Sequence, residues 1–334
     1  MKTRLLQYLA CPSCQSSLTL ANVTSTDSEE IIQGELKCLA CANSFPILRG
    51  IPRFATADLS EDGKAATAAS FGWQWQHFTQ QDDRYEEQFL GWISPIQPEF
   101  FTGKVVLEGG CGKGRHTQLA AAWGARDVVG VDLSDAVETA FAATRHLYNA
   151  HIIQADIYHL PLKRAFDYAF SVGVLHHLPD PAAGFASVAS RVKPGGTFSA
   201  WVYGAENNEW ITSLISPLRE KLTSSLNRRV LLHLSKFPTA LIYVATKLVY
   251  GPLNRTVAGA QVADHLFYND YLKSIAGFGW REQHTIVFDH LVAPTAFYIP
   301  RSEFEEWWKK LGAVDVRIGW HNKNSWRGTG VLPS

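Results

Sequence analysis

Short, mostly apolar runs alternate with helix-spaced segments through the middle of the chain. Runs of this kind, bounded by glycine and acidic residues, are typical of strands buried on both faces of a parallel sheet. The pattern predicts an α/β fold with a doubly wound, mostly parallel seven-stranded sheet. Its predicted strands are Val105–Glu108, Val128–Asp132, His151–Asp156, Phe166–Val172, Thr197–Tyr203, Ala313–Ile318 and Thr329–Leu332.

A long helical insertion is predicted after strand five. Residues 205–285 carry apolar positions at helical spacing in Trp210–Leu226 and Arg228–Tyr250, and residues 286–334 then complete the sheet. We interpret the insertion as a lid, because ligands bind at the carboxyl edge of open α/β sheets. Seven Lys and Arg residues against one acid, Glu220, between residues 217 and 255 keep two alternatives open. These are a homodimer interface and a basic amphipathic face that touches membrane lipid.

The composition is that of an ordinary globular protein. Of 334 residues, 46% are hydrophobic and 19% charged, and 31 basic residues balance 31 acidic ones. A net charge of zero implies no global attraction to nucleic acid, although a local patch is compatible with it. The N-terminus reaches Cys11 before a signal-peptide core can form. The longest uncharged apolar run, near Phe237–Thr246, is about half the ~20 residues of a membrane span. We therefore expect a cytoplasmic protein.

Four of the five cysteines form two pairs, Cys11-x-x-Cys14 and Cys38-x-x-Cys41, separated by 23 residues. Two such turns deliver four thiolates to a tetrahedral Zn²⁺. Disulfides are the alternative, but a cytosolic location disfavours them. The spacing predicts a structural zinc ribbon over residues 1–55, with no open coordination position for catalysis.

The ribbon has a recognisable setting. With Leu9-Ala before the first pair and Phe45-Pro-Ile-Leu-Arg-Gly-Ile-Pro-Arg53 after the second, residues 5–54 resemble the small zinc-ribbon activators of tRNA, rRNA and release-factor methyltransferases. Residues 56–102 are a linker and a helical segment that includes the aromatic-rich Phe71–Phe78. That segment is either a helix docked on the core or a cover for a cofactor, with Trp75 or Arg84 lining the pocket.

A glycine-rich turn follows the first strand of the core. Glu108-x-Gly110-x-Gly112-x-Gly114 leads from a strand into a helix, so a ligand can approach a backbone without Cβ atoms and meet free N–H groups. Asp132 ends the second strand, 24 residues beyond Glu108, where a carboxylate can accept ribose hydroxyls. Asp156 ends the third strand.

These features, over residues 103–204, resemble the Rossmann-like class I S-adenosylmethionine-dependent methyltransferases. The resemblance implies Asp132 and Leu133 at the ribose, Asp156 and Ile157 at the adenine, and Gly110 and Ser171 at the methionine end. Glu108, Gly112 and Gly114 complete this predicted cofactor site. A NAD(P) domain would instead require a GxGxxG spacing that the turn lacks.

Five polar residues are predicted near the reacting group. His176 and His177 follow strand four, whose loop faces the methyl group in this fold, and Asp289, His290 and His321 lie in later polar segments. Imidazole suits a general base because its pKa lies near neutrality. The alternative is a satisfied polar network that locks the insertion to the sheet.

The expected function is methyl transfer to O, N or C of a small or lipid-like metabolite enclosed by the insertion. An RNA or protein methyltransferase that uses the ribbon for recruitment is the alternative. Neutral charge and the absence of an Asn/Asp-Pro-Pro-Tyr motif disfavour it, so we expect a small-molecule partner rather than a nucleic acid. A non-catalytic, partner-binding scaffold is the second alternative.

Overall fold

The computed structural model describes residues 1–28, 30–54, 64–80 and 82–334. Residues 55–63, the last residue of the predicted ribbon and the first part of the predicted linker, lie outside this described part. The N-terminal region forms an antiparallel sheet of order β1-β2-β3-β4. Its strands are β1 (Leu18–Asp27), β2 (Glu30–Cys38), β3 (Ser44–Leu48) and β4 (Ile51–Pro52). Exposed and buried residues alternate along β3, so Phe45 and Ile47 pack inward.

A seven-stranded sheet of order β10-β11-β9-β8-β5-β6-β7 forms the centre of the protein. Its strands are β5 (Val105–Gly109), β6 (Asp127–Asp132), β7 (Ala150–Gln154), β8 (Phe166–Val172), β9 (Val192–Tyr203), β10 (Val314–His321) and β11 (Ser325–Val331). β5 to β9 pair in parallel, and the β10–β11 hairpin adds antiparallel to β9. The predicted fold class is confirmed. The strand order reverses between β5 and β8, which is where ligands bind in doubly wound sheets.

Helices cover the sheet and build the insertion. They are α1 (Lys64–His77), α2 (Tyr85–Ile93), α3 (Arg115–Ala122), α4 (Ala136–Thr144), α5 (Pro181–Ala189), α6 (Ser216–Lys221), α7 (Arg228–Leu234), α8 (Lys236–Ala245), α9 (Gly251–Leu253), α10 (Val257–Ala263), α11 (Asn269–Ile275), α12 (Trp280–Val292) and α13 (Arg301–Lys310). Within the described ranges, no helix is both long and apolar enough to cross a membrane.

The two faces of the sheet bury separate apolar clusters. Val106 packs on one face, and its neighbours Val105 and Leu107 pack on the other, because side chains alternate along a strand. The cluster that contains Val105 and Leu107 also includes Leu9 and Leu36 of the N-terminal region. The cysteine-bearing region and the central sheet therefore share one hydrophobic core.

Several predicted boundaries need correction. Strand five was expected from Thr197, but β9 begins at Val192. The insertion was expected to end at residue 285, but this position lies inside α12, because the apolar face of that helix continues to Val292. The last strand was expected over Thr329–Leu332, but it begins at Ser325. The polar residues before it form a tight hairpin whose turn includes Asn322 and Lys323, both with φ of 49°, a conformation typical of hairpin turns.

Candidate functional site

The glycine-rich turn lies at the carboxyl end of β5 and passes close to other segments at its glycines. Gly110 has φ of +83°, and a Cβ there would lie 2.2 Å from Cγ2 of Val174. Gly112 has φ of +50°, and its Cβ would lie 3.1 Å from Nε1 of Trp75. L-residues rarely adopt this conformation, so the backbone angle favours glycine at both positions, and at Gly110 the space excludes a Cβ as well. The turn forms one wall of a cavity.

Two acids lie near this turn: Asp132 ends β6, and Asp156 follows two residues after the end of β7. Oδ2 of Asp132 accepts the Gly112 N–H at 2.9 Å, and Oδ1 accepts the Ser134 hydroxyl at 2.7 Å. Asp156 accepts the Tyr158 N–H at 2.9 Å and lies 3.2 Å from Nζ of Lys64. Burial raises the pKa of Asp132. Asp132 and Asp156 line the cavity together with their neighbours Leu133 and Ile157.

Glu108, Gly114 and Ser171 support the turn from behind rather than line the cavity. Glu108 lies 3.0 Å from Nδ1 of His116 and accepts the Thr117 hydroxyl. Burial raises the pKa of Glu108 to about 8. Ser171 donates to the Gly109 carbonyl at 2.8 Å. Gly114 precedes α3, and a Cβ there would lie 3.0 Å from Ala140.

The cavity has a volume of about 600 Å³, within the range of small-molecule sites. It extends from the glycine turn to the inner surface of the insertion. Four tyrosines that sequence analysis did not single out line this distant part: Tyr203, Tyr268, Tyr271 and Tyr298. Tyr203 alone carried a usable signal, because it ends a parallel strand at the edge where ligands bind.

The aromatic-rich N-terminal segment contributes directly to the cavity. Trp75 on α1 and Arg84, just before α2, are lining residues, as are Phe71 and Gln74. Lys113, which follows the glycines, reaches this segment and donates to the Gln80 carbonyl at 2.7 Å. These placements combine the two interpretations of the segment, since α1 is docked on the core and also walls the cavity.

The two histidines after β8 occupy different environments. Nδ1 of His177 lies 2.7 Å from the carbonyl oxygen of Thr295. A carbonyl only accepts, so Nδ1 carries the hydrogen and Nε2 keeps its lone pair. Burial lowers the pKa of His177 to about 4, and the residue lines the cavity. His176 is fully buried and its ring stacks on Tyr203, with centroids 3.9 Å apart.

Asp289 and His290 are consecutive residues of α12, and both line the cavity. The carboxylate of Asp289 accepts Nε2–H of Gln74 at 3.1 Å and the Tyr203 hydroxyl at 3.3 Å. The His290 ring stacks on Tyr203 at 5.5 Å. Burial raises the pKa of Asp289 and lowers that of His290. Asp289 is thus oriented by Gln74 and Tyr203, because adjacent helical residues do not face each other.

His321 lines the cavity from the end of β10. Its Nε2 lies 3.0 Å from Nδ2 of Asn322, and its Nδ1 lies 3.5 Å from Nη1 of Arg327. Burial, together with the Arg327 charge, lowers the pKa of His321 to about 4. Both ring nitrogens of His321 therefore have polar protein neighbours within the β10–β11 hairpin.

The four paired cysteines meet at one point outside the cavity. Their sulfur atoms all lie within 4.8 Å of one another. The Sγ atoms of Cys14 and Cys38 are 3.4 Å apart, and those of Cys11 and Cys41 are 3.6 Å apart. Tetrahedral Zn–S bonds of about 2.3 Å place sulfurs roughly 3.8 Å apart. The cluster therefore fits a four-thiolate metal site.

Comparisons with known proteins give a match for the central sheet region and another for the cysteine-bearing region. Residues 107–200 match the family model of the methyltransferase domain, and residues 2–50 match that of the Trm112p-like protein. The chain is also similar to a solved S-adenosylmethionine-dependent methyltransferase from Mesorhizobium loti. Identity is 32%, the TM-score is 0.29, and the match covers 31% of this chain and 48% of that one.

Curated relatives carry a more specific name. The tRNA U34 carboxymethyltransferase of Pseudoalteromonas translucida is 35% identical over 113 residues, 33% of this chain and 34% of the relative. The enzyme of that name from Psychromonas ingrahamii is 33% identical over 128 residues, 36% of this chain and 38% of the relative. The chain thus spans little more than a third of the length of these relatives.

These names correct two predictions. A small or lipid-like metabolite as acceptor, and the exclusion of nucleic acid as partner, are both contradicted by relatives named for acting on tRNA. The RNA alternative fits better. The reasoning from net charge failed because recognition depends on the local field in a cleft rather than on the total charge. The cavity lining holds five cations, Lys64, Arg84, Lys113, Arg115 and Lys273, beside five acids, Glu87, Asp132, Asp156, Glu282 and Asp289.

Proposed function

We propose that this chain, in which a methyltransferase domain follows a Trm112p-like ribbon, is an S-adenosylmethionine-dependent transferase that modifies a base of an RNA. One observation carries the proposal. A single cavity of about 600 Å³ joins the glycine turn and its two acids, at one end, to a wall of tyrosines and His177 at the other. Such a cavity accommodates a nucleoside cofactor and an acceptor end to end.

The cofactor end fits S-adenosylmethionine. Asp132 would take the ribose hydroxyls, and Asp156 with the backbone at Ile157 would take the adenine. The backbone at Gly110 and Gly112 would lie against the methionine end, where the structure leaves no space for a Cβ at Gly110. When bound, this cofactor supplies a methyl group that its sulfonium already activates for transfer.

The chain's own residues would then mainly align the acceptor. His177 is neutral at pH 7, and its Nε2 can accept a proton or a hydrogen bond from the acceptor. Asp289, held by Gln74 and Tyr203, offers a second acceptor group on α12. Both groups line the same cavity, so they can orient a planar, polar substrate from two sides.

An RNA base suits the distant part of the cavity. Enzymes that modify a base take it out of the stack and hold it among aromatic side chains. Tyr268 and Tyr271 supply such side chains, whereas the Tyr203 ring already stacks on His176 and His290. Arg84 and Arg115 supply positive charge for the backbone. The relatives named for tRNA support this choice of acceptor. We also propose a cytoplasmic location, in keeping with an RNA acceptor.

We further propose that the four-cysteine cluster holds a structural Zn²⁺. The ribbon it would fold is joined to the catalytic core through the Tyr8 hydroxyl, which donates to Oδ2 of Asp127 at 2.6 Å, and through apolar contacts. In this arrangement the metal would stabilise the part of the central sheet that contains β6, the strand that ends in Asp132. The zinc itself would take no part in the transfer, since protein thiolates fill all four positions.

Two measurements test the proposal. Calorimetry should show S-adenosylmethionine binding that Asp132→Ala abolishes and that exposed Asp315→Ala leaves unchanged. Incubation with labelled cofactor and unmodified tRNA should then transfer label to the RNA, and the mass of the modified nucleoside identifies the transferred group. Binding of cofactor without transfer to any RNA would contradict the acceptor class while leaving the cofactor site intact.

A further inference from the structure

A stripe of exposed apolar side chains follows the outer side of two consecutive helices in the insertion. α7 and α8 are joined at Ser235, which keeps helical backbone angles, and a π-helical turn over Thr246–Tyr250 extends α8. Apolar residues recur along them at intervals of four, three, four, three and four, which is one side of a helix. They are Val230, Leu234, Phe237, Leu241, Val244 and Leu248, each 49–74% exposed.

The inner side of the same helices is mixed, because Leu231 and Leu232 of α7 join a hydrophobic cluster while the other buried residues are polar. Ser235, Thr239 and Thr246 are buried. Oγ of Ser235 lies 2.8 Å from Nε2 of His284, and Oγ1 of Thr246 lies 3.2 Å from Oε1 of Gln283. A helix on the surface of a water-soluble protein usually turns its apolar residues inward, whereas α8 buries Thr239 and exposes Phe237, Leu241 and Val244. Burial within this chain therefore does not account for the outer apolar residues.

Further exposed apolar residues lie before and after these helices. Leu214, Leu218 and Leu222 recur every fourth residue on the preceding segment, and Val257, Val262 and Phe267 follow. Isolated apolar residues are common on protein surfaces, but a concentration of this size marks an interaction site.

The charge of residues 217–255 indicates which kind of partner this surface binds. Residues 217–255 hold seven basic residues and one acid, in a protein of net charge zero. Arg219 is buried, and Nζ of Lys247 donates to the Ala276 carbonyl, but Lys221, Arg229, Lys236 and Arg255 are exposed. In a twofold dimer each copy would present this same basic surface to the other, and like charges repel. An anionic surface that also accepts apolar side chains suits it better.

We propose that α7 and α8 form an interfacial membrane-binding surface that lies on a bilayer containing anionic lipids. The apolar stripe would enter the boundary between headgroups and acyl chains, and the exposed lysine and arginine side chains would reach the headgroups. This contact is peripheral, since the helices lie along the surface rather than across it. The surface is separate from the cavity lining, so the inference does not depend on which acceptor the cavity takes.

Flotation of the 334-residue chain with vesicles tests this surface. Binding to phosphatidylcholine–phosphatidylglycerol vesicles should exceed binding to phosphatidylcholine vesicles by about tenfold or more, and added salt should weaken it. Phe237→Gln/Leu241→Gln should lower binding by about tenfold, because two apolar anchors are lost. The matched variant Tyr148→Gln/Val314→Gln, which alters equally exposed residues elsewhere, should bind like the unaltered protein.

Three results would overturn the inference. One is equal binding to the two kinds of vesicle, and another is an equal loss in both double variants. The third is a dimer, seen by light scattering, that Phe237→Gln/Leu241→Gln dissociates while vesicle binding is absent. Circular dichroism of both variants shows whether they fold, and the substituted side chains are exposed, so folding should be retained.

Discussion

Nδ1 of His177 donates its hydrogen to the carbonyl oxygen of Thr295 at 2.7 Å, across 118 residues of chain. This bond fixes the tautomer of a histidine whose pKa burial lowers to about 4. It also ties the loop after β8 to the segment that follows α12. The orientation of the proposed base thus depends on how the insertion returns to the sheet.

His177→Asn should reduce turnover by about 10²–10⁴-fold if His177 acts as a base. The active form is the neutral ring, so a pKa of about 4 keeps the rate of the unaltered enzyme independent of this group from pH 5 to 8. An ordinary histidine would lose activity below about pH 6.5. A pH–rate profile measures this, with exposed His146→Asn as the control. Full turnover in His177→Asn would exclude the acid–base role.

Gly110→Ala should weaken S-adenosylmethionine binding by about tenfold or more, because its Cβ would lie 2.2 Å from Val174 at φ of +83°. Gly279→Ala is the control, since nothing lies within 4 Å of a Cβ there and its backbone is extended. Adding Val174→Ala should restore part of the affinity but not the part lost to backbone strain. Titration calorimetry of the three variants checks this, and equal affinity in Gly110→Ala would contradict the proposed cradle.

Glu108→Gln should stabilise the protein more at pH 8 than at pH 5. Burial raises the pKa of Glu108 from 4.5 to about 8, so the unfolded chain releases this proton at lower pH than the folded one. The group's contribution to stability therefore falls as pH rises from 4.5 to 8, and glutamine, which stays neutral, avoids that loss. The effect of Glu108→Gln on the free energy of unfolding should differ between the two pH values by a few kcal/mol at most. Urea unfolding at both pH values measures it, with exposed Glu303→Gln as the control.

Cys38→Ser should release the metal and lower the midpoint of thermal unfolding by about 5 °C or more, because the ribbon shares its core with the central sheet. Cys111→Ala, which alters the one cysteine outside the cluster, should keep the metal. Metal analysis and calorimetry of both variants provide the test. A metal-free protein with an unchanged unfolding midpoint would show that the cluster does not stabilise the core.

Much of the fold could be predicted because its signals are local. Strand β8 occupies the predicted Phe166–Val172, and the cysteine pairs meet as their spacing indicates. The extent of α12 could not be predicted, since the helix bears both polar and apolar residues that only the packing against α1 and α8 explains. The tight hairpin turn at Asn322 could not be predicted either, because the polar residues around it are equally typical of a longer loop.

By itself, the sequence determined the glycine-rich turn, the acids near it and the four-cysteine cluster. A glycine turn, an acid near each strand end and a CxxC pair are short motifs whose chemistry depends on neighbours in the chain. The tertiary structure alone decided which side chains meet at the acceptor end. His177, Tyr203 and Asp289 come from separate elements, and their approach depends on packing between distant segments. Packing also left the apolar stripe from Val230 to Leu248 on the exposed side of its helices.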